Sequence, residues 1–369
     1  MHIYILENSG SPHDAGILSI VEVINHLNIN HTILLGRKNY KNFEKINNKK
    51  LNIQRMSILF FIKLKIFSKE KYSIIYNTTS TRNALFNMII SIMFWGKNIF
   101  YIRNANSWIK YNQNEKSLYY SILRFVVFLA KKIMLKTRKF LCVEKETIKK
   151  FLNNNGLNDI VVMPFIFFKN DKLLSQNNEE RVFTITCPGV VDLSRKNMNL
   201  IYKSIKQLIQ VRDNLKLVFL GKPKTEKDKI FCEKLKEELK ENFVYFNNYI
   251  NEEEYKEYAE NSDLIIGSYY INHRCEYFEE IYGTTKGSGV DAHAISSAKV
   301  LFVNSDYEVD DTYRTSTLKF KDEEELSFLI SKYIDDINWR KNLQSLAVIN
   351  AQNYYVSNFV DKFKEVVLK

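Results

Sequence analysis

The sequence predicts an α/β protein built from two tandem doubly wound domains. Three observations carry this reading. Short apolar runs alternate with helix-patterned segments along nearly the whole chain, which is the signature of parallel sheets covered by helices on both faces. The alternation breaks at the polar, non-periodic stretch 169–181 and then restarts. A length of 369 residues is too great for one ordinary domain and suits two.

The elements follow in order. In the first half, His2–Glu7, His31–Gly36, Tyr72–Asn77, Asn98–Asn104, Lys139–Glu144 and Ile160–Phe165 read as short buried strands. Ala15–Leu27, Arg82–Phe94, Lys116–Leu135 and Glu144–Asn153 are the helices between them. After the break, Val182–Gly189, Lys216–Gly221, Phe243–Tyr249, Asp263–Ser268 and Val300–Asn304 are strand-like. Asn199–Val211, Thr225–Glu241, Glu252–Asn261, Gly289–Ser297 and Glu323–Tyr333 are helix-like, and Trp339–Lys369 is helical with breaks. The expected domains are residues 1–170 and 181–350, with a C-terminal helix over 351–369 that packs back on the first domain. Ligands of doubly wound sheets bind beyond the strand C-termini, and with two such domains facing each other the expected site is the cleft between them.

Composition narrows the function. Hydrophobic residues at 45% and charged residues at 26% are the balance of a chain that buries real cores. Cys142, Cys187, Cys232 and Cys275 form no CxxC pair, which argues against a zinc site or a disulfide framework and for a reducing, cytoplasmic setting. The start, MHIYILENSGS, reads as a buried strand and not as a signal peptide, and the apolar stretch Ala84–Trp95 is too short to cross a bilayer. The net charge of +12 is uneven: residues 1–170 hold 26 Lys/Arg against 9 Asp/Glu, and the remainder 28 against 33. A genome rich in A and T loads a chain with Lys and Asn, as here. Beyond that bias, a basic half is built to meet something negative, such as an anionic membrane, a lipid phosphate, an acidic glycan or nucleic acid.

Two segments carry the candidate chemistry. Within Glu279–Asn304, Gly283, Gly287 and Gly289 are interleaved with Thr284, Thr285 and Ser288, and Lys286 lies beside them. Such a loop offers amides, hydroxyls and a cation at a helix N-terminus, where a phosphate or diphosphate binds well. Ser288 is the expected N-cap. An ordinary capped turn has a similar composition; the threonines, the lysine and the position before a late strand favour the ligand. The spacing is not that of a Walker loop. In Thr186–Asn199, Gly189 follows the first strand of the second domain, and Arg195 and Lys196 stand just before a helix. Glycine lets backbone approach a ligand, and two cations hold a diphosphate.

This layout resembles the GT-B glycosyltransferases, in particular the group that includes the GT4 enzymes of bacterial surface-polysaccharide synthesis. The residues that carry the resemblance are Gly189 with Lys196-Asn197, the strand Leu217–Gly221 ending in glycine, and Val244–Phe246, Glu252–Glu254, Tyr258 and Asp263. They continue with Glu280, Tyr282-Gly283 and Asp291-Ala292-His293-Ala294 leading into Lys299-Val300-Leu301. Where the family has two glutamates separated by seven residues, this chain has Asp291 second and Gly283 eight residues before it, so Glu280 or Glu279 takes the first place only with a shifted loop. The resemblance implies GT-B architecture, two Rossmann-like domains, and a donor site in the second. There Gly189, Arg195, Lys196, Thr284, Thr285, Lys286, Gly287, Ser288, Gly289 and Asp291 bind a nucleotide sugar, with Asp291 or an acid among Glu276–Glu280 on ribose or sugar hydroxyls.

The first domain is then the acceptor domain. If the reaction inverts, His13 or Asp14, in the loop after the first strand, is the expected general base, although Asp14 placed there also caps a helix. Arg103 and Asn104 are expected to contact acceptor, and Glu280 completes the candidate catalytic residues. Asn77, Thr78 and Thr79 read more simply as a helix cap. Lys116–Lys139 is apolar along one face and basic at its end, a covering helix or one lying on an anionic membrane. No Asp-x-Asp motif occurs and the histidines lack metal-ligand spacing, so no metal or other cofactor is expected and cations with a helix N-terminus offset the leaving group's charge. The expected partners are a nucleotide sugar and an anionic glycan or lipid-linked acceptor, at the inner face of the cytoplasmic membrane. A sugar-nucleotide epimerase or polyol-phosphate transferase on the same fold is the second reading. A non-enzymatic nucleic-acid binder ranks last, because the basic half has no nucleic-acid motif.

Overall fold

The computed structural model describes residues 1–9, 14–37, 39–40, 51–79, 81–111, 118–169, 182–275 and 278–368. They divide into two compact units. The first comprises residues 1–165, 274–287 and 356–369, and the second 166–273 and 288–355.

The first unit is built on a seven-stranded sheet in the order β3-β2-β1-β4-β5-β6-β7, parallel throughout. The strands are β1 His2–Glu7, β2 Asn30–Leu35, β3 Ile53–Arg55, β4 Tyr72–Tyr76, β5 Asn98–Ile102, β6 Arg138–Val143 and β7 Ile160–Val162. The central strands β4 and β5 are buried at every residue, because a parallel sheet is covered on both faces and its strands read as unbroken apolar runs. The chain reverses direction across the sheet between β1 and β4, which makes this the switch point where ligands enter. Covering helices include α1 Asp14–His26, α2 Ile58–Phe67, α3 Ala84–Met93, the one-turn α4 Asn106–Ile109, α5 Leu118–Thr137 and α6 Glu146–Asn154. The buried Asn98 side chain donates to the carbonyls of Ser91, Phe94 and Thr137, satisfying the ends of α3 and α5 that meet there.

The second unit holds a six-stranded parallel sheet, β10-β9-β8-β11-β14-β15, with its switch point between β8 and β11. Its strands are β8 Phe183–Pro188, β9 Leu215–Leu220, β10 Phe243–Tyr245, β11 Leu264–Gly267, β14 Val300–Asn304 and β15 Thr317–Phe320. Its helices are α7 Met198–Ile209, α8 Glu226–Leu239, α9 Glu252–Glu260, α10 Gly289–Ser296, α11 Glu323–Asp335 and α12 Ile337–Gln352. The α8 start is a full capping box, in which Thr225 and Asp228 satisfy each other's amides.

Strands β12 Asn272–Cys275 and β13 Phe278–Ile281 form a separate two-stranded sheet, and β13 belongs to the first unit. So does α13 Ser357–Leu368, which rests Phe363 on Phe140 while Lys139 and Lys71 donate to its last carbonyls at 2.8 and 2.5 Å. The polar stretch 170–181 lies outside the described residues. All four cysteines are free, and among the described residues no helix is long and apolar enough to cross a membrane.

Candidate active site

Beyond the C-terminal ends of β8 and β11, three side chains, Lys196, Tyr255 and His293, converge with two glycines. Gly189 follows β8 with φ +80°, a conformation that favours glycine, and its amide donates to Leu220. Gly221, one strand over, packs so tightly that an added Cβ would overlap the Gly189 carbonyl. Lys196 is buried, and its ammonium donates to the carbonyls of Pro188 at 2.7 Å and Gly189 at 3.2 Å. Burial lowers its pKa, with the nearby charge of Arg195 acting in the same direction. Its backbone pairs with Tyr269 after β11, and the Asn197 amide donates to Ser268. On the other side, His293 of α10 shares a 2.9 Å hydrogen bond with Tyr255.

Arg195 faces elsewhere. Asp192, almost wholly buried, accepts from Arg195 at 2.5 Å, Lys224 at 2.6 Å and the Ser194 hydroxyl at 2.5 Å. Burial would raise the Asp192 pKa, but these hydrogen bonds and the Arg195 charge hold it well below the usual carboxylate range. The two cations expected side by side on a diphosphate therefore have separate partners: Lys196 tethers the loop after β8, and Arg195 is committed to Asp192.

Burial, with the charge of Lys196 added, pushes His293 down from 6.5 to about 4. Its pH effect on stability has a definite sign. Between those values the unfolded chain holds a proton that the folded chain does not. Stability is therefore complete above about 6.5 and falls as the pH drops toward about 4, by roughly 2–3 kcal/mol in all. Denaturant midpoints of wild type and His293→Gln from pH 7 to pH 4 check this, and equal slopes in the two proteins would remove His293 from the account.

The segment expected to be one phosphate cradle is divided. Residues up to Gly287 belong to the first unit, and those from Ser288 to the second. In the first part, Gly283 (φ +87°) donates to Lys286, while the amides of Thr284, Thr285 and Lys286 all turn to Ile281. These amides close a tight turn, so they are not presented to a ligand. Thr285 is buried, and its hydroxyl accepts from the Ile281 amide at 2.7 Å. Lys286 donates to the Asn104 side chain at 2.8 Å, and the Ala105 amide to Thr285, which docks the turn on the loop after β5. Gly287 lies so close to the Glu144 carboxylate that a Cβ there would overlap it.

In the second part, Ser288 occupies the N-cap position of α10 but its hydroxyl makes no cap. It pairs with the Tyr307 hydroxyl at 2.8 Å, and Tyr307 donates to Asp291 at 2.9 Å. Gly289 and Asp291 stand in the first turn of that helix, whose amides and dipole favour an anion.

Glu280 has no exposed surface. It accepts from the amides of Asn106 at 3.1 Å and Ser107 at 3.3 Å, so it caps α4 across a long sequence gap. Burial raises its pKa, against the Thr285 hydroxyl, the Asn106 amide and the charges of Lys131 and Lys286. The expected catalytic acid thus anchors β13 to α4 and has no open side toward a substrate.

The first unit assembles a second polar cluster at its own switch point. Glu7, at the end of β1, is buried and accepts from Asn77 at 2.6 Å, Thr78 at 2.6 Å and the Ser9 amide at 2.8 Å. Asn77 in turn accepts from Arg103, through its carbonyl at 3.1 Å and its side-chain oxygen at 3.0 Å. The Arg103 guanidinium lies 4.1 Å from the centre of the Phe165 ring, and burial lowers its pKa. Gly16 makes room for it, since any Cβ there would overlap the guanidinium. His13 and the side chain of Asp14 lie outside the described residues, as does Glu276; α1 begins at Asp14.

Glu7, Glu144, Asp192 and Tyr307 escaped the sequence reading. Glu7 had a signal: it is the one charge in an apolar strand and sits at its C-terminal end. Asp192 lies within Thr186–Asn199, but nothing local marks it as the partner of Lys224. Among the described residues no group of three or more His, Cys, Asp or Glu converges as a metal site would require.

Two parallel sheets of seven and six strands, each wound on both sides with helices, define this as the GT-B fold of glycosyltransferases. No protein-family model and no curated protein matches the chain. Solved structures do. HepE of Anabaena, in complex with UDP, has a TM-score of 0.70 at 12% identity over 100% of both chains. WaaG, a glycosyltransferase involved in lipopolysaccharide biosynthesis, has a TM-score of 0.66 at 13% identity, covering 100% of this chain and 99% of that one. Sucrose-phosphate synthase of Thermosynechococcus elongatus has a TM-score of 0.65 at 10% identity, over 99% and 98%. At such identities the likeness is one of fold.

Proposed function

We propose that the chain is a glycosyltransferase that moves a sugar from a nucleotide-sugar donor to a glycan or lipid-linked acceptor in bacterial surface-polysaccharide synthesis. The observation that carries this is the cluster of Gly189, Lys196, Tyr255 and His293 at the switch point of the second sheet, within a GT-B fold. HepE, which shares the fold, has been solved with UDP and with UDP-glucose. In this reading Lys196 and the first turn of α10 hold the donor phosphates. Asp291, oriented by Tyr307, takes ribose or sugar hydroxyls. The leaving nucleotide's charge is offset by these fixed groups without metal, which is preorganised electrostatic stabilisation. The basic first unit receives the acceptor near Arg103 and Asn104, with His13 or Asp14 as base, and the protein works at the inner face of the cytoplasmic membrane.

A thermal-shift screen of UDP-, GDP-, CDP- and TDP-sugars and CMP-sugars, each with EDTA and with Mg²⁺, tests it. A donor at about 100 times its Kd stabilises by about 2.7 kcal/mol, a shift of several degrees. One nucleotide class should produce it equally in EDTA. No shift with any donor in either condition would sink the reading, and a shift that requires Mg²⁺ would sink its metal-free part. Consumption of the donor's sugar without acceptor would reassign the chemistry to epimerisation.

A further inference from the structure

Helix α5 has its polarity partly inside out. Leu118, Ile122, Phe125 and Leu129, spaced to share one face, are 77%, 54%, 51% and 49% exposed. Arg124 and Lys131 are buried, at 4% and 2%. Lys131 donates to the Ser107 hydroxyl at 2.6 Å and lies 5.3 Å from the Trp108 ring centre, and Arg124 lies 5.9 Å from that of Phe278. Helix α3 repeats the pattern: Leu85, Ile89 and Ile92 face out, while Asn87 and Ser91 are buried. On α2, Leu59, Ile62 and Ile66 are exposed at the same spacing.

The three helices form one continuous surface. Phe61 of α2 packs on Phe86 of α3, and Ala84 and Met88 of α3 pack with Val127, Phe128 and Ala130 of α5. Soluble monomers rarely expose apolar patches beyond a few hundred Å², and larger ones mark protein or membrane contacts.

Charge selects the occupant. Residues 58–67, 84–93 and 118–137 contain no Asp or Glu, and Lys63, Lys65 and Lys136 are exposed among them. A second copy docked on the same face would bring like charges together. An anionic lipid surface meets both features, since headgroups attract the lysines and the acyl boundary takes the aliphatic stripes. Trp95, Tyr119 and Tyr120, all exposed, are the aromatic types that settle at headgroup level. We infer that this three-helix face of the first unit docks the protein on an anionic bilayer, peripherally. The inference deepens, and rests on, the proposed location at a membrane face; it does not need the sugar-transfer chemistry, so the two can fail separately.

Flotation of the full chain with phosphatidylcholine vesicles, with and without phosphatidylglycerol, tests it. The wild type should float with the anionic vesicles, less so at high salt. The triple variant Leu59→Gln/Ile89→Gln/Phe125→Gln, one change per helix at exposed positions, should lose at least about tenfold in binding with an unchanged melting curve. The exposed double variant Lys63→Glu/Lys136→Glu should lose the phosphatidylglycerol dependence, and keeps the test decisive if the triple variant unfolds. Failure of the wild type to float, or flotation of both variants equal to that of the wild type, would overturn the proposal. So would a wild-type dimer that the triple variant dissociates without any vesicle binding, which would give the face to a second copy. The nucleotide-sugar thermal shift, read on the same preparations, separates the two readings: a chain that floats but binds no donor refutes only sugar transfer.

Discussion

Lys196→Ala is expected to lower kcat/KM for sugar transfer by about 10²–10³-fold, the cost of removing one preorganised electrostatic group from a transition state. The expectation has two sources. The ammonium is the cation that the loop after β8 keeps buried at the switch point, where a charge acts in a poorly screened environment. It also ties down the carbonyls of Pro188 and Gly189, so its loss loosens the glycine turn that brings backbone close to the ligand. Lys196→Arg should not restore activity, because a planar guanidinium does not fit a point held between two carbonyls. Ser288→Ala should cost less, since that hydroxyl acts through Tyr307 on Asp291. Steady-state kinetics and nucleotide titration together check this, and unchanged transfer in Lys196→Ala would remove the residue from the donor site.

Glu280→Ala should destabilise the first unit by about 3–5 kcal/mol, the usual consequence of removing one partner from a buried charged network. The amides of Asn106 and Ser107 lose their acceptor, and the buried Lys131 loses a compensating charge. Glu280→Gln keeps one carbonyl oxygen and should cost roughly 1–2 kcal/mol. Urea midpoints of the three proteins decide it. Turnover per folded molecule in the glutamine variant should stay within about tenfold of wild type, as suits a positioning residue; a collapse of turnover at unchanged stability would return Glu280 to the chemistry.

The sheets were legible in the sequence because parallel strands are buried on both sides and leave unbroken apolar runs. Those of β1, β4, β5, β8 and β14 end within about two residues of the observed strands. What escaped is what lacks that burial. Strand β3 is three residues of an edge with two exposed, and β15 is buried only at Phe320. Helix α2 escaped for the opposite reason, since its apolar residues run all round and leave no stripe to recognise. In the site, the composition of residues 283–289 favoured a phosphate cradle over an ordinary capped turn before a helix. It did not reveal where the amides point. Ile281 collects three of them, and the partners of the side chains, Asn104 for Lys286 and Tyr307 for Ser288, come from distant parts of the chain. The pairing of Arg195 with Asp192 is local, at i and i+3, and was open to the eye. What hid it was the expectation that a basic pair before a helix faces a ligand.

The chain passes between its two compact units four times, and the first is completed only by residues 274–287 and 356–369. On the ribosome, then, the amino-terminal sheet emerges long before the segments that finish it, while most of the second unit can assemble from what lies between. The buried Arg124 and Lys131 of α5 have to wait, partly assembled, for Phe278, which covers them from a segment more than a hundred residues later. Removing Ser357–Leu368 would therefore strike the unit to which β1 belongs.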